Sequence, residues 1–310
     1  MVARAHARFA AERRRARWRG RGRRRPSALP NLIVIGGLKC GTTSLHHYLN
    51  LHPEIGMSRP KELNFFVAEL NWPLGVDWYR SHFDAATPLR GESSPHYTNR
   101  PGFDGVAERM RSVLGEPRVI YMVRDPIDRM LSHYLHNVGG GYDDRELTDA
   151  LADPQSSYVN RSRYLFQLEP YLESFGRERI EIVTREELKR DRLRTMRRVF
   201  QFLGADPGFT SEQFAREWET GAAKGGGPFR FMDRAVRLRG LRALDRNFDR
   251  LPESFRWVVE RIIHDPEAGE IPKPEVPAPL REQLERRFRD DVERLEDLAG
   301  RRFGWDTRPS

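Results

Sequence analysis

The sequence predicts an α/β protein, a central parallel sheet with helices on both faces, on two observations. Short runs of apolar, β-branched residues alternate with stretches of helical apolar spacing, and two of the strand-to-helix junctions carry dense polar motifs. The first strand is Leu32-Ile33-Val34-Ile35, followed by Gly36 and Gly37 and then a helical pattern led by Leu45, Tyr48 and Leu49. Val119-Ile120-Tyr121-Met122-Val123 repeats the unit, with Arg124-Asp125-Pro126 at the junction and Ile127, Met130, Leu131 and Tyr134 on the helix. Leu165, Leu168, Leu172 and Phe175 share one face of a further helix, which leads into a third strand, Ile180-Glu181-Ile182-Val183. The last helix, residues 280–298, sets Leu284, Phe288, Val292, Leu295 and Leu298 on one side and charge on the other.

A chain of 310 residues is long for one domain but within reach of an α/β enzyme with insertions, and one domain is expected over residues 29–305. The formal charge of +9 is concentrated: residues 1–26 carry eleven arginines against the single acid Glu12, so the other 284 residues sum to about −1. A near-neutral body offers no broad basic footprint for nucleic acid. Residues 1–28 are expected to form a disordered Arg-rich arm, open to weak contact with an anionic surface. This arm has no apolar run long enough for a signal peptide or a membrane span. Cys40 is the only cysteine, which excludes an intramolecular disulfide and any multi-cysteine zinc site. With abundant Arg and Ala, these features suggest a bacterial, cytoplasmic protein. Residues 221–279 change character, with Gly225-Gly226-Gly227, many arginines and five prolines from Pro266 to Pro279, and read as an insertion or lid within the domain.

Gly36-Gly37-Leu38-Lys39-Cys40-Gly41-Thr42-Thr43-Ser44 joins a strand to a helix, where backbone N–H groups and the helix dipole make a site for a phosphate. A nucleoside triphosphatase loop needs its lysine directly before the hydroxyl residue that holds magnesium. Here Thr42 occupies that lysine's place and Lys39 lies three residues earlier, which weakens a kinase or ATPase reading.

The run Lys39-Cys40-Gly41-Thr42-Thr43 resembles the K-x-G-T-T/S loop of sulfotransferases that use 3′-phosphoadenosine 5′-phosphosulfate (PAPS). Arg124, Asp125, Pro126, Arg129, Ser132 and Tyr134 match the same family's R-D-P-x-x-R-x-x-S-x-Y signature without a mismatch. The resemblance implies a P-loop-like three-layer fold, with Lys39, Cys40, Gly41, Thr42, Thr43 and Ser44 around the 5′-phosphosulfate and Arg124 and Ser132 holding the 3′-phosphate. Ser162 and Tyr164, with Leu168 and Tyr171, resemble a segment that lies near the nucleotide in the family, so Tyr164 is either a nucleotide contact or core packing. The ending Gly300-Arg301-Arg302-Phe303-Gly304-Trp305 resembles a G-R-x-F-x-W tail of bacterial members, and Lys224, before the three glycines, is a candidate for the loop that closes on the nucleotide.

On the acceptor side, Lys61-Glu62-Leu63-Asn64-Phe65-Phe66 resembles the K-E-x-x-F-F element of heparan sulfate and other Golgi-type sulfotransferases, which makes Glu62 the general base. Lys39 would then offset charge developing on the leaving phosphate. Cytosolic-type members use a histidine base, which keeps His82, His96 and His133 in view. Gly91-Glu92-Ser93-Ser94-Pro95-His96-Tyr97 resembles the Golgi-type G-E-K-S/T-P-x-Y, but Ser93 stands where relatives have lysine, so Lys61, Lys224 or an arginine of the 230s would have to supply a second cation.

The expected activity is transfer of a sulfuryl group from PAPS to a hydroxyl or amine of a glycan, lipid or small-metabolite acceptor, releasing 3′-phosphoadenosine 5′-phosphate (PAP), and no metal is expected. A P-loop nucleotide kinase and a non-catalytic nucleic-acid or membrane tether acting through the arm are the competing classes. Oligomeric state is open.

Overall fold

The computed structural model describes residues 27–139, 142–216, 218 and 274–305. The Arg-rich arm up to residue 26, Lys224, the arginines of the 230s and most of the 221–279 insertion lie outside the described residues. In chain order the main elements are β1 (Leu32–Gly36), α1 (Thr42–Leu49), β2 (Ile55–Met57), α2 (Val76–Arg80), β3 (Leu89–Ser93), α3 (Val106–Leu114) and β4 (Arg118–Val123). There follow α4 (Pro126–Gly139), α5 (Leu147–Ala152), α6 (Ser157–Asn160), α7 (Tyr164–Phe175), β5 (Ile180–Thr184), α8 (Arg185–Arg190), α9 (Arg192–Leu203) and α10 (Ala278–Ala299). The described residues form two compact units, one of residues 27–124, 163–216, 218 and 290–305, the other of residues 125–139, 142–162 and 274–289.

The first unit holds a five-stranded parallel sheet in the order β2-β3-β1-β4-β5, flanked by helices as the sequence predicts. Leu32 of β1 stands opposite Gly91 of β3 and Arg118 of β4, and Val119 opposite Ile180 of β5. All of β1 and five of the six residues of β4 are buried, the continuous apolar pattern of central parallel strands covered on both faces. Strands β2 and β3 escaped the sequence reading for a physical reason. β2 has only three residues, and β3, Leu-Arg-Gly-Glu-Ser, buries a carboxylate and a hydroxyl in place of an apolar run. At the end of β1 the backbone of Gly36 (φ 150°) passes so close to Thr98 that a Cβ would stand 2.0 Å from its Oγ1.

The chain's end is tied to this unit by charge. Arg198 of α9 donates to Glu181 of β5 at 2.8 Å and to Glu187 of α8 at 2.5 Å, and Arg301 donates to Glu187 at 3.1 Å and to the carbonyl of Ile182. Burial alone would raise the Glu187 pKa, but the hydrogen bonds and charges of Arg198 and Arg301 prevail and lower it. Glu187 also completes a capping box with Thr184 at the start of α8. Trp305 donates its indole N–H to Glu186 at 3.1 Å, which gives the G-R-x-F-x-W tail its structural work.

In the second unit Asp125 caps α4 by accepting the N–H of Asp128 at 2.8 Å, and Pro126 takes the first helical position. Arg129, fully buried, donates to Ser162 Oγ and to the carbonyl of Tyr158, both at 2.6 Å, while Ser162 donates to the carbonyl of Pro126 at 3.1 Å. Pro126 and Arg129 of the motif and the later Ser162 are therefore one structural lock. His133 packs on the ring of Tyr158 with centroids 4.7 Å apart.

Asp291, on the part of α10 that belongs to the first unit, accepts the N–H of Leu165 at 3.1 and 3.2 Å and so caps α7 from a distance in sequence. Burial pushes its pKa up to about 6, against backbone hydrogen bonds from Leu165, Tyr164 and Phe166 that favour the carboxylate. The folded pKa exceeds the ordinary aspartate value of 3.8, so the cost of ionising Asp291 in the fold is fully present above pH 6 and gone below pH 3.8. Compared with Asp291→Asn, which cannot ionise, the wild type should lose roughly 3 kcal/mol of stability as pH rises across that window, measured by chemical denaturation at a series of pH values.

Candidate active site

A parallel sheet delivers all its strand ends to one edge, and here each of the five ends carries a polar or charged group. Lys39 follows β1, Glu62 follows β2, Ser93 closes β3, Arg124 follows β4 and Arg185 follows β5. The connection from β1 runs toward β2 at one side of the sheet and that from β4 toward β5 at the other, which places the switch in direction between β1 and β4, under the glycine loop.

The loop opens with the N–H of Gly37 donating to the carbonyl of Met122 at 2.5 Å and turns into α1 at Gly41 (φ 89°). Lys39 sits at φ 68° and is half-buried. Burial lowers its pKa most, the charges of Arg124 and then Arg185 lower it further, and Glu62 opposes them. Lys39, Arg124, Arg185 and Glu62 thus share one electrostatic neighbourhood. Thr42 and Ser44 are buried at the start of α1 and Thr43 is half-buried. Cys40 is buried, with its Sγ 3.9 Å from Tyr164 Oη.

Tyr164 has a core position. It is fully buried, and its hydroxyl donates to the carbonyl of Arg124 at 2.6 Å and accepts that residue's N–H at 3.3 Å. It therefore fixes the backbone of Arg124, and Asp291 in turn fixes the helix that starts with Tyr164. The side chain of Arg124 is buried. Ser132 lies on α4 in the second unit, half-buried.

The acceptor-side loop is held by Glu92. This carboxylate is completely buried and accepts the hydroxyls of Tyr79 at 2.7 Å, Tyr97 at 2.6 Å and Ser94 at 2.6 Å. Burial raises its pKa against those hydrogen bonds. Tyr97 Oη then accepts the N–H of Phe65 at 2.9 Å, and Ser94 Oγ accepts that of Asn64 at 3.0 Å. With Glu62 N–H donating to the carbonyl of Ser93 at 3.1 Å, the K-E-L-N-F-F segment is fixed along its length, with Glu62 at φ 64° and Asn64 at φ 48°. The Glu62 carboxylate is 42% exposed and ion-paired with Lys61 at 2.7 Å.

Ser93 is buried and its Oγ lies 3.0 Å from His46 Nδ1. Burial, and then the charge of Lys61, hold the His46 pKa at about 3, so the pair is neutral, and Lys61 is the lysine whose charge reaches this place. Of the three histidines kept as alternative bases, His82 is engaged with the carbonyl of Trp78 at 2.8 Å, His96 packs on Phe103, and His133 lies in the second unit. Among the described residues no group of three His, Cys, Asp or Glu side chains is close enough to hold a metal ion. Sequence reasoning missed Arg185 and the anchoring role of Glu92. The signal for Arg185 was present, since it follows a buried strand just as Lys39 and Arg124 do.

Lysine, arginines and a carboxylate at the carboxyl edge of a parallel sheet, beside a glycine loop that leads into a helix, make a site suited to an anion. The chain belongs to the sulfotransferase family: the model of the sulfotransferase domain matches residues 29–220. It is 40% identical over 115 residues to the membrane-associated sulfotransferase kil1 of Dictyostelium discoideum, covering 36% of this chain and 23% of that protein. It is 31% identical over 193 residues to the human heparan sulfate glucosamine 3-O-sulfotransferase 5, covering 58% of this chain and 54% of that one. The chain thus spans about half or less of the length of these relatives. A sulfotransferase crystal structure from Alicyclobacillus acidocaldarius superposes with a TM-score of 0.60 at 25% identity, covering 88% of this chain and 97% of that one.

Glu92→Gln places an amide N–H where the carboxylate now accepts hydroxyl donors. It should cost about 1–3 kcal/mol of stability in urea denaturation, the penalty for leaving a buried hydroxyl without its acceptor.

Proposed function

We propose that the protein transfers a sulfuryl group from PAPS to a hydroxyl or amine of a glycan or other small acceptor. The observation that carries this reading is the backbone of the two residues assigned to the chemistry. Among the described residues only Lys39, Glu62 and Asn64 hold a left-handed φ without being glycine. Such conformations cost on the order of 1–3 kcal/mol each and persist where surrounding structure enforces them, most often at functional sites. Two of the three are the residues whose charges are coupled at the head of the loop.

In this reading Glu62 accepts the proton of the acceptor group as its oxygen or nitrogen bonds to sulfur, and the bond from sulfur to the bridging phosphate oxygen breaks. Lys39 faces the charge that gathers on the departing 5′-phosphate, and Arg124 holds the 3′-phosphate of the nucleotide. The Lys61 ammonium holds one oxygen of the base and leaves the other for the acceptor. The names of the relatives, heparan sulfate sulfotransferases among them, support a glycan acceptor.

Calorimetric titration with PAP tests the donor half. Wild type should bind it, magnesium–ATP should fail to compete, and Lys39→Ala and Arg124→Ala should each weaken binding about tenfold to a hundredfold, as expected for loss of a charge-assisted hydrogen bond. Preference for ATP would remove the reading in favour of a kinase. Glu62→Gln should leave PAP affinity within about threefold while lowering transfer of labelled sulfate from PAPS to N-desulfated heparin or other glycan acceptors by roughly 10²–10⁴.

A further inference from the structure

We infer that Arg185 is a donor-binding residue that faces the 5′-phosphate end of the nucleotide, a role that rests on the donor reading above. Its place in the fold makes the case. Arg185 is the residue immediately after β5, next to the strand whose end supplies Arg124, and it opens α8 behind the Thr184 cap. A cation on the first residue of a helix opposes the helix dipole, so helix stability does not account for it.

The stem of Arg185 runs over the last glycine of the phosphate loop. A Cβ added to Gly41 would stand 3.5 Å from Arg185 Cγ and 3.8 Å from its Cδ, so the stem passes beside the loop where it enters α1, within reach of the smallest side chain there. From there its charge reaches Lys39, whose ammonium it disfavours together with Arg124. Three cations from the ends of β1, β4 and β5 therefore bear on one loop of backbone donors, and Glu62 is the acid whose charge opposes them at Lys39. Such a cluster repels itself, and a bound phosphate relieves the repulsion while gaining charge-assisted hydrogen bonds. Because Arg185 lies against Gly41, the phosphate it meets is the one seated on the loop.

The test compares wild type, Arg185→Met, which keeps the apolar stem, and Arg185→Lys, using calorimetry with adenosine 3′,5′-bisphosphate, adenosine 5′-monophosphate and adenosine 3′-monophosphate. Circular dichroism melts establish that each variant is folded. Arg185→Met should weaken both 5′-phosphorylated nucleotides about tenfold to a hundredfold and 3′-monophosphate by less than about threefold, with Arg185→Lys recovering part of the loss. The salt dependence of PAP binding should be shallower in Arg185→Met. Unchanged PAP affinity in Arg185→Met, or an equal loss with all three nucleotides, would overturn the assignment while leaving the donor reading intact. Failure of the wild type to bind PAP would remove both.

Discussion

In a parallel sheet the backbone polar groups of a strand are spent on its neighbours and its side chains are spent on the layers above and below. A strand of this kind can offer chemistry only where it ends, and all the ends of one polarity lie along one edge. That constraint organises the first unit of this protein. Lys39, Glu62, Ser93, Arg124 and Arg185 come from five strands and five separate stretches of chain, yet the sheet alone brings them to a common edge. The buried runs of β1 and β4 carry no charged side chain and fix where Lys39 and Arg124 stand.

Around that edge two supports work in opposite ways. On the donor side, rigidity is passed along a line of backbone contacts: Asp291 caps α7, its first residue Tyr164 grips both backbone polar groups of Arg124, and Arg124 carries the charge. On the acceptor side, one buried carboxylate collects three hydroxyl donors, and two of those hydroxyls then hold the N–H groups of Asn64 and Phe65. A buried carboxylate without partners would be very costly, and here the partners are what shape the loop. The strained conformations at Glu62 and Asn64 are thereby maintained by groups buried beneath the loop.

The sequence made the fold legible wherever apolar periodicity was strong, in β1, β4, β5, α7 and α10, and silent where strands were short or polar, in β2 and β3. Motif spacing drew attention to the glycine loop and to Glu62, and the sheet places both at its carboxyl edge. It was less informative about residues whose work is done through another residue. Nothing in the G-E-S-S-P-H-Y run discloses that its glutamate is buried beneath two tyrosines, since one of them, Tyr79, comes from a segment with no motif of its own. Nor does the spacing of Ser162 and Tyr164 separate a nucleotide contact from a core position, whereas their hydrogen bonds do. Arg185 follows a strand that was recognised, and it was passed over because no motif drew attention to it.

The Ser93–His46 pair also bears on how this sequence can diverge. The serine is buried, and its hydroxyl and the His46 ring fill the space together. A lysine placed there would have to share that space with an imidazole held neutral beside Lys61. The two positions are consequently coupled in packing: a side chain much longer than serine at 93 needs a smaller residue at 46, so a designer who wants a cation at this strand end has to change both positions together.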